Sequence, residues 1–170
     1  MKAVISSTYD DKYLYFLPIV TWCWQKLGVD VICFYPKQLR TGEGVSEQNA
    51  KKYWLIFETC EKNNLSIEFH RFKCPEHKEA TYAQCSRLYA ACLDLPEDEV
   101  LVTGDVDMAV FEIPPHYGNI TIWGNDLVPH GQYPICYASG TVRYWRAYFD
   151  LIDKTYCFNP QFPPAPCYYW

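Results

Sequence analysis

Two carboxylates stand one residue apart in the middle of the chain, directly after an apolar run. The run covers residues 100–103 and leads through Gly104 into Asp105 and Asp107. Because side chains two positions apart in an extended segment point to the same side, both carboxylates would face one site. Hard divalent cations take oxygen ligands and commonly bridge to substrate phosphates, so the pair indicates a metal-assisted site. The alternative is a solvated turn that ends a strand.

A second group of polar and aromatic residues follows a predicted strand at residues 119–123. Asp126 could deprotonate a hydroxyl as a general base, or it could hydrogen-bond to hydroxyl groups of a ligand. Asn125 and Asp126 also favour turns, so a plain turn is the alternative. Trp123 would stack on a sugar face or close the core. Among the histidines, His130 lies in a turn near this group, and we expect it to contact a phosphate or a sugar.

Arg87 lies among the small residues Ala83, Ala90 and Ala91, which leave room for its long side chain to lie flat. We expect it to steady Asp105 or to contact a phosphate. The alternative is an ordinary arginine on the surface of a helix.

Strands and helices alternate over the first 107 residues and would position these side chains. The predicted strands cover residues 2–7, 29–35, 65–72, 100–103, 119–123 and 135–138, and the predicted helices cover residues 12–27, 46–62, 79–93 and 141–153. Pro18 would kink the first helix or mark its true first turn. The alternation favours an α/β domain whose sheet is mixed, mostly parallel and flanked by helices, with ligands at the carboxyl ends of the strands.

The composition of the chain argues against several classes of protein. The 170 residues suit one domain, and 15 Lys and Arg against 20 Asp and Glu give a net charge of −5. This charge argues against a protein that coats nucleic acid. No apolar stretch is long enough to span a membrane. The nine cysteines include no C-x-x-C pair, so we expect reduced thiols in a reducing, cytoplasmic compartment and no zinc knuckle.

The end of the chain differs in composition from the rest. Residues 159–166 contain four prolines and cannot form a helix. We therefore expect a catalytic domain over residues 1–157 and a proline-rich arm or linker over residues 158–170, with further domains of a longer polypeptide as one possibility.

Several segments in combination resemble the GT-A class of nucleotide-sugar glycosyltransferases over about residues 1–150. They are the opening strand and loop at 2–10, the helix at 82–89 that contains Arg87, the D-x-D strand at 101–107, and the Tyr-Ala-Ser-Gly-Thr-Val segment at 137–142. Within this class the chain resembles the small transferase domains with which large algal viruses glycosylate their capsid protein. Two departures stand out: Ala138 replaces an Asn of many members, and no histidine follows His130. The third protein ligand of a metal could thus be absent, replaced by water, or lost with a truncated tail.

The resemblance implies a single GT-A domain and a role for each matching residue. Asp107 would bind Mn²⁺ or Mg²⁺ directly, and Asp105 would reach the ribose, or the metal through water. The implied nucleotide-binding residues are Ser6, Thr8, Tyr9, Arg87, Asp105 and Val106. The implied sugar or acceptor residues are Trp123, Asn125, Asp126, His130, Ser139 and Gly140.

The implied reaction moves a hexosyl or deoxyhexosyl group from a nucleoside-diphosphate sugar, with uridine expected, to a glycan or protein-linked acceptor. In a viral protein this would take place in the host cytoplasm. One rival is a non-catalytic nucleotide- or carbohydrate-binding module of the same fold. Another is a D-x-D phosphatase, but its nucleophile lies near the amino terminus and a Thr belongs where Ala109 stands. The phosphate-binding motif G-x-x-x-x-G-K-[ST] is absent from the sequence.

Overall fold

The computed structural model describes residues 1–8, 11–36, 47–75, 78–123 and 136–148. The strands in this part are β1 (Lys2–Ser6), β2 (Asp30–Pro36), β3 (Ile67–Phe72), β4 (Val100–Thr103), β5 (Ile120–Ile122) and β6 (Ala138–Thr141). The helices are α1 (Asp11–Leu14), α2 (Leu17–Lys26), α3 (Glu47–Lys62), α4 (Glu79–Ser86) and α5 (Val142–Tyr148), with a 3₁₀ helix at Arg87–Cys92.

The strands form one sheet in the order β3-β2-β1-β4-β6-β5. The first four run parallel to one another, whereas β6 is antiparallel to both β4 and β5. Helical segments between β1, β2, β3 and β4 make the parallel pairing possible, since parallel neighbours need a crossover connection. The predicted fold class is confirmed: the chain is an α/β domain with a mostly parallel sheet flanked by helices.

Both faces of the sheet are buried, because successive side chains of a strand point to opposite sides. Ala3 and Ile5 of β1 join one apolar cluster, which is closed by side chains of α2 and α3. Val4 joins the other cluster, which is closed by the 3₁₀ helix and α5. Strand β1 therefore forms the centre of the domain.

The predicted helix at 12–27 is divided into two. Pro18 lies in the first turn of α2, where a missing N–H costs nothing, so the reading of Pro18 as a helix start is correct. Gly28 follows the helix with φ +75°, and its N–H donates to the carbonyl of Gln25 at 3.0 Å. Among the helices that the structure describes, none has the length and apolar composition needed to cross a membrane.

The predicted strand at 135–138 is wrong in its bounds. Strand β6 begins at Ala138, so Ser139 and Gly140 lie inside the sheet. A Cβ atom on Gly140 would lie 3.1 Å from the carbonyl oxygen of Asn119, which shows how closely β5 packs there. Strand propensity pointed to the bulkier Ile-Cys-Tyr run, but close packing selects the small residues that follow it.

The expectation that all cysteines are reduced is wrong for two of them. Cys85 and Cys92 are disulfide-bonded. The thiols of Cys23, Cys33, Cys60, Cys74 and Cys136 are free. Disulfides depend on how closely two cysteines approach in space, which the sequence spacing alone does not reveal.

Strands β4 and β6 stop pairing through their backbones at Thr103. The register runs from the pair Val100–Thr141 to the pair Val102–Ser139. At the next position the Thr103 hydroxyl accepts the Ala138 N–H at 3.0 Å and donates to the Ala138 carbonyl at 3.1 Å. Beyond this point the chain after β4 stays beside β1, because the Gly104 N–H donates to the carbonyl of Val4 at 3.0 Å.

Candidate functional site

A cavity of about 220 Å³ opens at the carboxyl ends of β1 and β4. It is lined by Ser6, Ser7, Thr8, Tyr13, Ala80, Ala83, Gln84, Arg87, Asp105, Val106 and Asp107. Six of these are residues that the sequence analysis assigned to the nucleotide or the metal, namely Ser6, Thr8, Arg87, Asp105, Val106 and Asp107. The structure therefore brings together residues that lie up to about one hundred positions apart in the sequence.

The position of the cavity follows from the topology. Strands β1 and β4 are parallel neighbours, so their carboxyl ends meet at one edge of the sheet, where α/β proteins commonly bind ligands. Ser6 is the last residue of β1, and the Ser7 N–H donates to the carbonyl of Phe34 in β2 at 3.0 Å. The Ser7 hydroxyl donates to the carbonyl of Thr8 at 3.1 Å. These bonds hold the loop after β1 against the cavity.

Arg87 begins the 3₁₀ helix and points into the domain with only 4% of its surface exposed. Its Nη1 donates to the Gly104 carbonyl at 2.9 Å and forms an ion pair with Oδ1 of Asp105. Its Nε donates to the Gln84 carbonyl at 3.3 Å. The structure therefore places Arg87 against Asp105 and not on the surface, while a contact of Arg87 with a phosphate stays a prediction.

The two carboxylates flank a buried residue. Val106 is 4% exposed and packs into the cluster that contains Ile5 and Trp24. Asp105 and Asp107 lie on either side of it and both line the cavity, Asp105 partly buried and Asp107 exposed. The buried valine thus fixes the backbone between the two acidic side chains.

The donor set fits a cation that is shared with phosphate oxygens. Within the described residues, no group of three or more His, Cys, Asp or Glu side chains converges on one point. Mg²⁺ is commonly held by one or two carboxylates together with substrate phosphates and water. Asp107 and the second oxygen of Asp105 match that pattern, because Arg87 engages the Oδ1 atom of Asp105.

Tyr137 lies in the electric field of both carboxylates, although the sequence analysis assigned it no role. The pKa of its phenol is raised, first by burial and then by the electrostatic influence of Asp105, Cys136 and Asp107. The raised pKa keeps the phenol protonated. The feature of the sequence that could have pointed to Tyr137 is its position as the first residue of the 137–142 segment.

The predicted sugar residues that the structure describes, Trp123, Ser139 and Gly140, do not line this cavity. Trp123 is half-buried and packs against the apolar cluster that contains Ala3 and Ile5, as expected for a residue that closes the core. Ser139 is fully buried in β6, and its Oγ atom lies 2.8 Å from Nδ1 of His116. Gly140 lies beside it in the same strand. His116 is thus a contact that the sequence analysis missed, because nothing in the sequence relates Pro-Pro-His to a strand that begins more than twenty residues later.

Four predicted site residues lie outside the described residues. They are Tyr9, Asn125, Asp126 and His130. Their assigned roles remain predictions.

Comparison with known proteins supports the fold. Neither a protein-family model nor a curated protein matches the chain. Among solved structures, the chain is similar to the crystal structure of the glycosyltransferase GlyE in Streptococcus pneumoniae TIGR4, with a TM-score of 0.51 and 10% sequence identity. The chain has a GT-A-like glycosyltransferase fold. The similarity covers 91% of this chain and 39% of the GlyE chain, so this GT-A-like domain spans less than half the length of the protein it resembles.

At 10% identity the likeness establishes the fold alone. It places the cavity in a GT-A-like sheet. The resemblance to algal-virus transferases and the individual site roles stay predictions.

Proposed function

We propose that the chain is a glycosyltransferase that takes a nucleoside-diphosphate sugar into the cavity between β1 and β4. The observation that supports this proposal is the convergence of Ser6 and Thr8 from one strand end with Asp105 and Asp107 from the next. Hydroxyl groups on one side suit a ribose or a base, and carboxylates on the other suit a metal-bound diphosphate.

A divalent cation, Mn²⁺ or Mg²⁺, would be held by Asp107 directly, with Asp105 reaching it through water or reaching the ribose instead. When bound, the cation would supply positive charge that stabilises the departing nucleoside diphosphate. Arg87 positions the Asp105 carboxylate through their ion pair and its bond to the Gly104 carbonyl. The Tyr137 phenol, which its raised pKa keeps protonated, would be available as a hydrogen-bond donor to the sugar donor.

We propose uridine as the donor base and a glycan or protein-linked group as the acceptor, in line with the family resemblance. The transferred group would be a hexose or a deoxyhexose. Asp126 would act as general base or bind the donor sugar, with Asn125, His130 and Trp123 nearby in sequence.

Calorimetry with uridine diphosphate tests the cation proposal. We expect Mn²⁺ to strengthen the binding of uridine diphosphate. In Mn²⁺, the Asp107→Asn variant should bind at least about tenfold more weakly than the wild type, whereas in chelator the two should bind equally. Glu112→Gln is the matched control, because Glu112 is an exposed carboxylate five positions further on that does not line the cavity. Equal affinity of the wild-type chain in chelator and in Mn²⁺ would contradict the cation bridge. Binding of guanosine diphosphate but not uridine diphosphate would contradict the choice of base.

Donor turnover separates an enzyme from a binding module. A transferase should release uridine diphosphate slowly from a bound donor sugar in the presence of the metal. Binding without any release, even with candidate acceptors, would favour the non-catalytic module. Asp126→Asn should lower transfer by about 100-fold with donor binding unchanged if Asp126 is the base, and should weaken donor binding if it holds the sugar.

A further inference from the structure

Helix α2 is apolar on the side that faces solvent as well as on the side that faces the core. Its core side buries Leu17, Val20 and Trp24. Its outer side, together with the turn before it, exposes Tyr15 at 54%, Phe16 at 45%, Ile19 at 55% and Trp22 at 50%. We call these four residues the aromatic face. A helix that is apolar on all sides is normally covered on its outer side as well, by protein or by lipid.

The spacing places the aromatic face along one side of the helix. Phe16, Ile19 and Trp22 follow one another at intervals of three residues, which brings them onto neighbouring turns. The Nζ atom of Lys26 lies 5.5 Å from the centre of the Trp22 ring, one turn further on. The exposed apolar side chains therefore follow one side of α2, and Lys26 stands at the end of the row.

The charged side chains within the segment that carries the aromatic face are both basic. Between Asp11 and Asp30, the only charged side chains are Lys12 and Lys26, in a chain whose net charge is −5. Both lysines are exposed, one before the aromatic face and one after it. A second copy of the chain would bring the same two lysines to the contact, whereas an anionic surface would complement them.

This combination is typical of helices that lie in the interface of a bilayer. Such helices insert Trp and Phe side chains at the level of the headgroups and keep lysines beside anionic lipids. Tryptophan and tyrosine suit this position, because each has an apolar ring and a polar atom.

We propose that the aromatic face docks the protein on an anionic membrane surface, with α2 lying flat in the headgroup region. The proposal goes beyond the proposed function and does not depend on it. Tyr13, in the segment just before the aromatic face, also lines the cavity, so the docked surface would adjoin the mouth of the candidate site.

Co-sedimentation of the full chain with lipid vesicles tests the docking. One set of vesicles contains phosphatidylcholine alone, and the other contains phosphatidylcholine mixed with phosphatidylglycerol. The double variant Ile19→Ser/Trp22→Ser should lose roughly tenfold or more of its partition into the mixed vesicles. Lys12→Gln and Lys26→Gln should each lose about fivefold in mixed vesicles and nothing in neutral ones. Phe111→Ser is the control, since Phe111 is 87% exposed on a different segment and should bind as the wild type does.

Thermal melting of each variant checks the fold, and the single variant Trp22→Gln replaces the double variant if the latter melts lower. Failure of the wild-type chain to sediment with mixed vesicles overturns the proposal, and so does unchanged binding by the Ile19/Trp22 variant. A dimer in analytical ultracentrifugation that Ile19→Ser/Trp22→Ser dissociates, without any vesicle binding, would show that a second copy covers the aromatic face. None of these measurements uses a sugar donor, so they leave the proposed function untouched whatever their result.

Discussion

Replacing Arg87 with Met is expected to destabilise the protein, because the side chain is buried and forms several contacts at once. Only 4% of Arg87 is exposed, and its guanidinium joins the Gly104 carbonyl, the Gln84 carbonyl and the Asp105 carboxylate. Met fills a similar volume but donates no hydrogen bond. The variant would therefore leave the buried carbonyl of Gly104 and one carboxylate oxygen without their donor.

The cost can be estimated from these contacts. A buried acceptor that loses its donor costs about 1–3 kcal/mol. Breaking a fully buried ion pair costs about 3–5 kcal/mol, but the Asp105 side chain is 36% exposed and can regain water, so its share is smaller. We expect a total of about 2–4 kcal/mol and a fall in melting temperature of roughly 5–12 °C for a domain of this size.

Urea unfolding of a double-mutant cycle provides the measurement. Arg87→Met and Asp105→Asn are made singly and together, and the coupling between them reports the ion pair apart from the bond to Gly104. We expect a coupling of about 1–2 kcal/mol, with the remaining cost of Arg87→Met persisting in the Asp105→Asn background. An Arg87→Met variant within about 0.5 kcal/mol of the wild type would refute the reasoning, because that is the range of ordinary surface substitutions.

Three further substitutions test the packing. Gly28→Ala should lower the free energy of unfolding in urea by about 1 kcal/mol. The cost comes from the backbone, because φ is +75° and no atom lies within 4 Å of the added Cβ. An unchanged unfolding midpoint would contradict this backbone strain. Gly140→Ala should cost about 1–3 kcal/mol, because its Cβ would lie 3.1 Å from the Asn119 carbonyl oxygen, and equal melting temperatures would show that β5 yields. Burial, and then the charge of Glu61, raise the pKa of the Cys60 thiol from 9.0 to about 11. The unfolded chain therefore ionises first, and the free energy of unfolding should fall by up to about 2 kcal/mol as the pH rises from 9 to 11, an effect that Cys60→Ala should reduce. The same pH profile in both proteins would exclude this contribution.

The sequence predicted the elements best where a local pattern and a boundary residue agreed. Pro18 and Gly28 mark the two ends of α2. The ring of Pro18 fixes φ in the helical range, whereas Gly28 can adopt the positive φ that follows the helix, and both effects are local. The apolar run before Gly104 gave β4 with its correct limits, since a short buried strand needs little else. The prediction missed the bounds of β6, because close packing at Gly140, which is a tertiary property, decides them.

The cavity side of the candidate site was predictable to a similar degree. Asp105 and Asp107 can be recognised in the sequence by their residue type and spacing. The parallel pairing of β1 and β4 then brings Ser6 and Thr8 to the same edge of the sheet. The partner of Ser139 could not be predicted, because His116 reaches it across the sheet from an irregular segment. The field at Tyr137 likewise depends on three-dimensional proximity to two acids that precede it by about thirty residues.

The hydroxyl of Thr103 also marks a junction at which the domain could be rebuilt. The segment from Gly104 to Gly118 leaves the sheet just after this side chain and returns just before β5, so strands fix both of its ends. Loops anchored in this way tolerate insertion and replacement, because the scaffold supplies the stability. A graft between positions 104 and 119 would have to keep Gly104, Val106 and Val110, because Gly104 bonds to β1 and both valines are buried in the core, but it could exchange exposed side chains such as Asp107. The fork between β4 and β6 thus gives the exposed side chains of this segment a fixed base, while its buried residues remain part of the core.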